Sequence, residues 1–172
     1  SLEAVRQQIS PAWAADVLDH AGATEIGPWG VGCLEHSGLE VIEEWFHPEF
    51  LGISTSRSAR EGESAELVLT TLGRNGCPVI RYRTGDVVHP VWPTEQEVAA
   101  GASPRVWLKG GILGRTDDML VVRGVNIFPS AVENIIRGFP EVLEYRLTVN
   151  SEEHLDGSGT EIDDPLSATA RI

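Results

Sequence analysis

The chain has 172 residues, 41% of them hydrophobic and 23% charged, which bounds it to one domain or two small ones with a real apolar core. A net charge of -13 and no Lys/Arg cluster argue against a nucleic-acid or anionic-lipid partner, and any nucleotide site must be local and metal-assisted. No apolar run approaches the ~20 residues of a membrane span, no signal-peptide pattern is present, and two cysteines are too few for a disulfide framework, so a cytoplasmic location is expected.

Leu2, Val5, Arg6 and Ile9 fall at helical spacing, and Pro11 is expected to stop that helix. Residues 15–20 read as a short strand running into a Gly-rich turn, Gly22 to Gly32, with β-like runs at 31–35, 39–45 and 50–54. The Ser/Arg/Glu/Gly-rich stretch 54–64 reads as a loop. Branched residues predict strands at 66–72 and 78–83, the second closed by a Thr84-Gly85-Asp86 turn. Three prolines between His89 and Pro104, without a clear period, suggest an irregular insertion. Short strands are expected at 106–108, 119–122 and 125–127. Pro129 is well placed to begin a helix over 129–137, and a strand is expected at 142–149. Residues 150–165 are acidic and rich in Gly and Ser, as a loop would be. The expected fold class is α+β: short antiparallel strands forming a distorted barrel-like subdomain, then the start of a small β-β-α-β unit, with the break near Asp117.

Four motifs carry chemistry. Thr24-Glu25 lies in the Gly-rich turn, where backbone can approach a ligand; the hydroxyl suits a phosphate oxygen and the carboxylate a Mg²⁺ ion. Its bland alternative is an ordinary exposed turn. Asp86, in Tyr82-Arg83-Thr84-Gly85-Asp86, can accept from two ribose hydroxyls or simply cap a turn. Arg115, in Gly114-Arg115-Thr116-Asp117-Asp118, offers a planar fork to ribose or phosphate, or pairs with Asp117 or Asp118. Arg123-Gly124 allows a sharp turn or close contact with a ligand. Separately, Cys33-x-x-His36 with Cys77, and with Glu40 as an optional fourth member, offers thiolate and imidazole donors suited to Zn²⁺, against the alternative of two free cysteines and a surface histidine.

In this order these segments, with Asn126-Ile127-Phe128-Pro129-Ser130-Ala131-Val132-Glu133, resemble the adenylate-forming acyl-CoA synthetases, and within them the phenylacetate–CoA ligases. The resemblance implies ATP/AMP, Mg²⁺ and CoA as cofactors and a small carboxylic acid, phenylacetate-like, as substrate. It implies that Thr24 contacts the AMP phosphate, Glu25 the Mg²⁺, Asp86 the ribose and Arg115 the nucleotide. Asp117 becomes the hinge of a rotating C-terminal domain, and Arg123-Gly124 faces CoA. Residues 1–116 then correspond to the C-terminal part of the large AMP-binding domain, and 117–172 to the hinge and the beginning of the small domain.

Departures from the pattern are equally informative. Ala21 stands where the family usually has an aromatic residue beside adenine. No Gly/Ser/Thr/Lys-rich phosphate loop occurs in these residues. The only lysine, Lys109, precedes the hinge and cannot be the family's catalytic lysine. The expectation is therefore a fragment of a ligase, inactive in adenylation by itself and prone to self-association or homodimer formation through apolar surface. Ser1 at the start and a strand-like run ending at Ile172 suggest the same. The alternatives are a non-catalytic nucleotide- or protein-binding module of the same descent, or a β-rich interaction domain with chance matches. Gly27-Pro28-Trp29-Gly30 is expected to line one wall of an acid pocket.

Overall fold

A computed structural model describes residues 3–34, 36–53, 55, 57–122, 125–139, 141–142, 144–150, 154–155, 161–162 and 167–171. The chain divides into two compact units, Ser1–Asp117 and Asp118–Ile172.

The first unit opens with helix α1 (Glu3–Trp13). Pro11 lies inside it rather than stopping it. Proline costs the helix the one backbone bond its N–H would make, and the helix ends within a turn of it. The stop comes at Ala14, in the left-handed region at φ 48°, while the Ser10 hydroxyl donates to the Ala15 carbonyl at 2.7 Å.

Seven strands follow: β1 (His20–Ala23), β2 (Gly27–Val31), β3 (Gly38–Val41), β4 (Phe46–Gly52), β5 (Ala65–Thr71), β6 (Tyr82–Val91) and β7 (Trp107–Arg115). They form one sheet in the order β1-β2-β3-β7-β6-β5-β4, and every neighbouring pair is antiparallel. The antiparallel α+β class expected from the sequence is the one observed. Its core holds Trp29, Val41, Leu67, Leu69, Val88 and Leu108, all at most 1% exposed. The sequence of β5 lacks polar alternation because β5 is buried on both faces. Pro48 sits in β4, which has a neighbour on one side only, and Pro90 sits at a register shift of β6; both are places where a missing N–H is tolerated.

Several expected boundaries move. Residues 15–19 form no strand, and the Gly-rich stretch is instead the β1–β2 hairpin. Of the described residues in the run 31–35, Val31 alone is strand, and 39–45 turns after Val41. Residues 78–81 are irregular, because Val79 is held to Thr71 through both its backbone N–H and its carbonyl. Thr84-Gly85-Asp86 does not close a strand; it lies inside the ten-residue β6. The Pro-rich insertion contains helix α2 (Glu95–Ala99), begun by a capping box between Thr94 and Glu97. The strand expected at 106–108 continues to Arg115, which places Gly114-Arg115 in the sheet.

The second unit contains β8 (Leu120–Val122), β9 (Val125–Ile127), α3 (Pro129–Ile136), β10 (Arg146–Asn150), β11 (His154–Leu155), β12 (Glu161–Ile162) and β13 (Ser167–Arg171). The two-stranded pairs are β8-β9, β10-β13 and β11-β12. Helix α3 begins at Pro129, where a missing N–H has no cost.

Candidate functional site

The turn between β1 and β2 presents Thr24 and Glu25 to solvent, both exposed. Ile26 beneath them is buried, which anchors the turn to the core. The Arg74 guanidinium donates to the Glu25 carbonyl and ties this turn to the β5–β6 connection. The Glu25 carboxylate lies close enough to the Tyr82 phenol to act on it electrostatically. Burial, and then the neighbouring Glu25 carboxylate, push the Tyr82 phenol above its ordinary value.

Tyr82 opens β6, and Asp86 lies four residues further along it. Between them Gly85 takes φ 75°, a conformation that glycine enters freely. A Cβ there would meet Arg115 Nη2 at 2.8 Å, so glycine also makes room for the guanidinium. The Thr84 hydroxyl donates to the Leu67 carbonyl at 2.9 Å and accepts the Asp86 N–H at 3.0 Å. These two bonds hold the distorted part of β6 against β5.

Asp86 and Arg115 face each other in register across β6 and β7. Arg115 Nη1 lies 3.6 Å from Asp86 Oδ1 and donates to the Thr84 carbonyl at 3.3 Å. Its Nε and Nη2 donate to the two carboxylate oxygens of Asp117 at 3.0 and 3.4 Å. The Arg115–Asp117 ion pair weighed from the sequence is thus present, and Asp86 shares the same guanidinium. Only 15% of the Asp86 side chain is exposed. Its burial pushes the carboxyl above the ordinary range, against the Thr84 hydroxyl and Arg115, which pull it down. Asp117, held by Arg115, is pulled below the ordinary range.

Glu25, Tyr82, Asp86 and Arg115 therefore form one group, brought together from three separate stretches of the sequence. Tyr82 had no assigned role in the sequence reading, although it opens the Tyr-Arg-Thr-Gly-Asp motif. Arg74 carried no signal at all. Trp29, expected on a pocket wall, is 1% exposed inside the core; of that segment Pro28 is the exposed residue. Ala21 is buried. Arg123 and Gly124 lie outside the described residues. Cys33 and His36 occupy the β2–β3 connection near Glu40 of β3, whereas Cys77 is exposed in the β5–β6 connection and is not in that group. The exposed Glu25 carboxylate suits a Mg²⁺ ion held mainly by substrate phosphates.

Comparison with solved structures places this architecture among acyl-CoA ligases. The chain superposes on a 2-hydroxyisobutyryl-CoA ligase, solved in the postadenylation state with an acyl-AMP, with a TM-score of 0.71 and 26% identity. That match covers 85% of this chain and 31% of the ligase. An anthranilate CoA ligase shares the fold at a TM-score of 0.60 and 19% identity, over 97% of this chain and 31% of that one.

By sequence, the phenylacetate-coenzyme A ligase of Aromatoleum evansii is 36% identical over 158 residues, which is 90% of this chain and 34% of that protein. The Escherichia coli K12 enzyme of the same name is 34% identical over 165 residues, 94% of this chain and 36% of that protein. No family model matches the chain. The resemblance read from the motifs is thereby shown: this chain is similar in sequence to phenylacetate–CoA ligases and in structure to an acyl-CoA ligase. It spans about a third of the length of the curated relatives it matches. Among the described residues no helix is long and apolar enough to cross a membrane.

Proposed function

We propose that this chain is the nucleotide-gripping and hinge portion of an ATP-dependent acid–CoA ligase. Such an enzyme joins a carboxylate to ATP, giving an acyl-adenylate and pyrophosphate. The CoA thiolate then displaces AMP. The substrate class proposed is an aryl acid resembling phenylacetate.

One observation carries the reading: Glu25, Tyr82, Asp86 and Arg115 converge although they come from β1–β2, β6 and β7. In this proposal Asp86 accepts from the ribose hydroxyls. Arg115 fixes Asp86 and offers its remaining surface to the nucleotide. Thr24 donates to the α-phosphate, and the Glu25 carboxylate supplies a hard oxygen to Mg²⁺, which when bound neutralises phosphate charge. Asp117 acts as the hinge, at the boundary where the chain divides into two units. Arg123 and Gly124 are proposed to face CoA.

The lone lysine bears on what the 172 residues do by themselves. A cation that stabilises charge developing at the α-phosphate is typically worth about 10²-fold or more in rate. Lys109 lies on β7, before the hinge, and cannot take that place. We therefore expect the chain to bind an acyl-adenylate without making one.

Calorimetric titration with a non-hydrolysable phenylacetyl-adenylate analogue and Mg²⁺ tests the binding. Asp86→Asn is expected to weaken it about tenfold or more, as loss of hydrogen bonds to a charged acceptor does. Equal binding by Asp86→Asn and the parent chain would overturn the ribose assignment. Robust acid-dependent ATP–pyrophosphate exchange by the 172-residue chain would overturn the expectation of inactivity.

A further inference from the structure

We propose that Cys33, His36 and Glu40 bind a zinc ion, in a site that shares no residue with the nucleotide group and does not depend on that reading. Donor atoms of the three residues lie within 4.8 Å of one another. His36 Nε2 and Nδ1 are 3.3 and 3.4 Å from Cys33 Sγ, and Nε2 is 3.6 Å from Glu40 Oε1. Tetrahedral zinc with ordinary bond lengths separates its ligand atoms by roughly 3.3–3.6 Å. The separations are of the length of such edges, and a turn of the His36 ring about its side-chain bonds would aim one nitrogen lone pair at an ion shared with Cys33 and Glu40.

The surroundings hold the donors as a metal site requires. The His36 ring stacks on Trp107, centroids 4.1 Å apart and 22° from parallel. Trp107 is placed there by register, since Glu40 pairs with it across β3 and β7. Glu40 is 5% exposed. Its other oxygen, Oε2, accepts from the Ser103 hydroxyl at 3.1 Å and from Arg105 Nη1 at 3.3 Å, leaving Oε1 turned to His36. Outer partners of this kind orient ligands and tune their affinity.

Cys33 and His36 also line a cavity of about 420 Å³, which leaves room for water as a fourth ligand. Three protein ligands and one open position is the pattern of accessible zinc sites. A soft thiolate with imidazole selects zinc over magnesium or calcium. Of the four residues weighed from the sequence, the structure thus groups Cys33, His36 and Glu40 and leaves Cys77 apart.

The test uses the purified chain, expressed with zinc in the medium and then stripped and titrated with Co²⁺. Elemental analysis is expected to find about one zinc per chain. Cobalt is expected to give a thiolate-to-metal charge-transfer band, lost in Cys33→Ser and kept in Cys77→Ser. Glu40→Gln should weaken cobalt binding about tenfold or more. Should Cys33→Ser or Glu40→Gln fail to fold, the parent chain alone decides by the presence or absence of the band. Less than a tenth of an equivalent of zinc together with no cobalt band would overturn the site, leaving a thiol, imidazole and carboxylate joined by protons only. A band lost in Cys77→Ser instead would overturn the ligand set.

Discussion

Asp86, the residue proposed to hold the ribose, opposes the fold that carries it. Its carboxyl is pushed up by burial, so the folded chain holds that proton more tightly than the unfolded chain. The sign follows directly. The contribution of Asp86 to stability is present below the ordinary carboxylate value and is lost as pH rises through the raised one. At neutral pH the ionised group works against folding. Asp86→Asn is therefore expected to match or exceed the parent melting temperature at pH 7, and the advantage should shrink as the pH approaches about 4. Scanning calorimetry of both proteins over that range checks it. A variant several degrees less stable at pH 7 would mean that the ion pair with Arg115 outweighs burial. Arg115 itself is divided among Asp86, Asp117 and the Thr84 carbonyl, so it restrains the residues on either side of the strand end.

At the scale of the element, β6 decides the geometry. A regular strand would alternate Tyr82, Thr84 and Asp86 on one face. The register shift opposite Glu66 and Val68 and the positive φ at Gly85 interrupt that alternation. The buried Thr84 hydroxyl then bonds both Leu67 in β5 and the Asp86 N–H. Removing it leaves a carbonyl and an amide without that partner. Thr84→Ala is expected to cost about 1–3 kcal/mol, while Thr84→Ser, which keeps the hydroxyl, recovers most of it. Urea midpoints at constant slope measure both. Equal losses in the two variants would assign the effect to the lost methyl rather than to the hydrogen bonds. The same displacement of Asp86 predicts weaker nucleotide binding in Thr84→Ala than in Thr84→Ser.

For the whole molecule, charge and apolar surface oppose each other. Trp13, Leu34, Trp45, Leu72 and Ile80 are each more than half exposed. Trp45 and Leu72 are neighbours, joined by a backbone hydrogen bond of 2.9 Å, and the Trp45 ring covers Gly73. Exposed apolar surface of this kind favours association. The net charge of -13 resists it by repulsion that salt screens beyond about 10 Å at 0.1 M. Sedimentation should accordingly show the average mass rising with protein concentration, and more strongly in 0.5 M than in 0.05 M NaCl. A monomer at every salt concentration would count against association through this surface.

The sequence by itself was enough for the antiparallel class, the helix beginning at Pro129, and the family resemblance carried by Tyr82 to Asp86 and Gly114 to Pro129. These are local properties: branched runs, a proline at a helix start, and short motifs whose residues are adjacent. The sequence also placed Asp86 and Arg115 in separate motifs, each with a bland alternative. Only the tertiary structure decided that they face each other, because register across β6 and β7 depends on bulges that no local pattern shows. It likewise turned Thr84-Gly85-Asp86 from an expected turn into the middle of a strand, since pairing on both sides of β6 outweighs the local turn preference of Gly and Asp. Trp29 went to the core for the same reason: its fate depends on what packs against β2. The partnership of Cys33 and His36 with Glu40 rather than Cys77 is also tertiary, fixed by β3 pairing with β7 and bringing Trp107, Ser103 and Arg105 around one carboxylate.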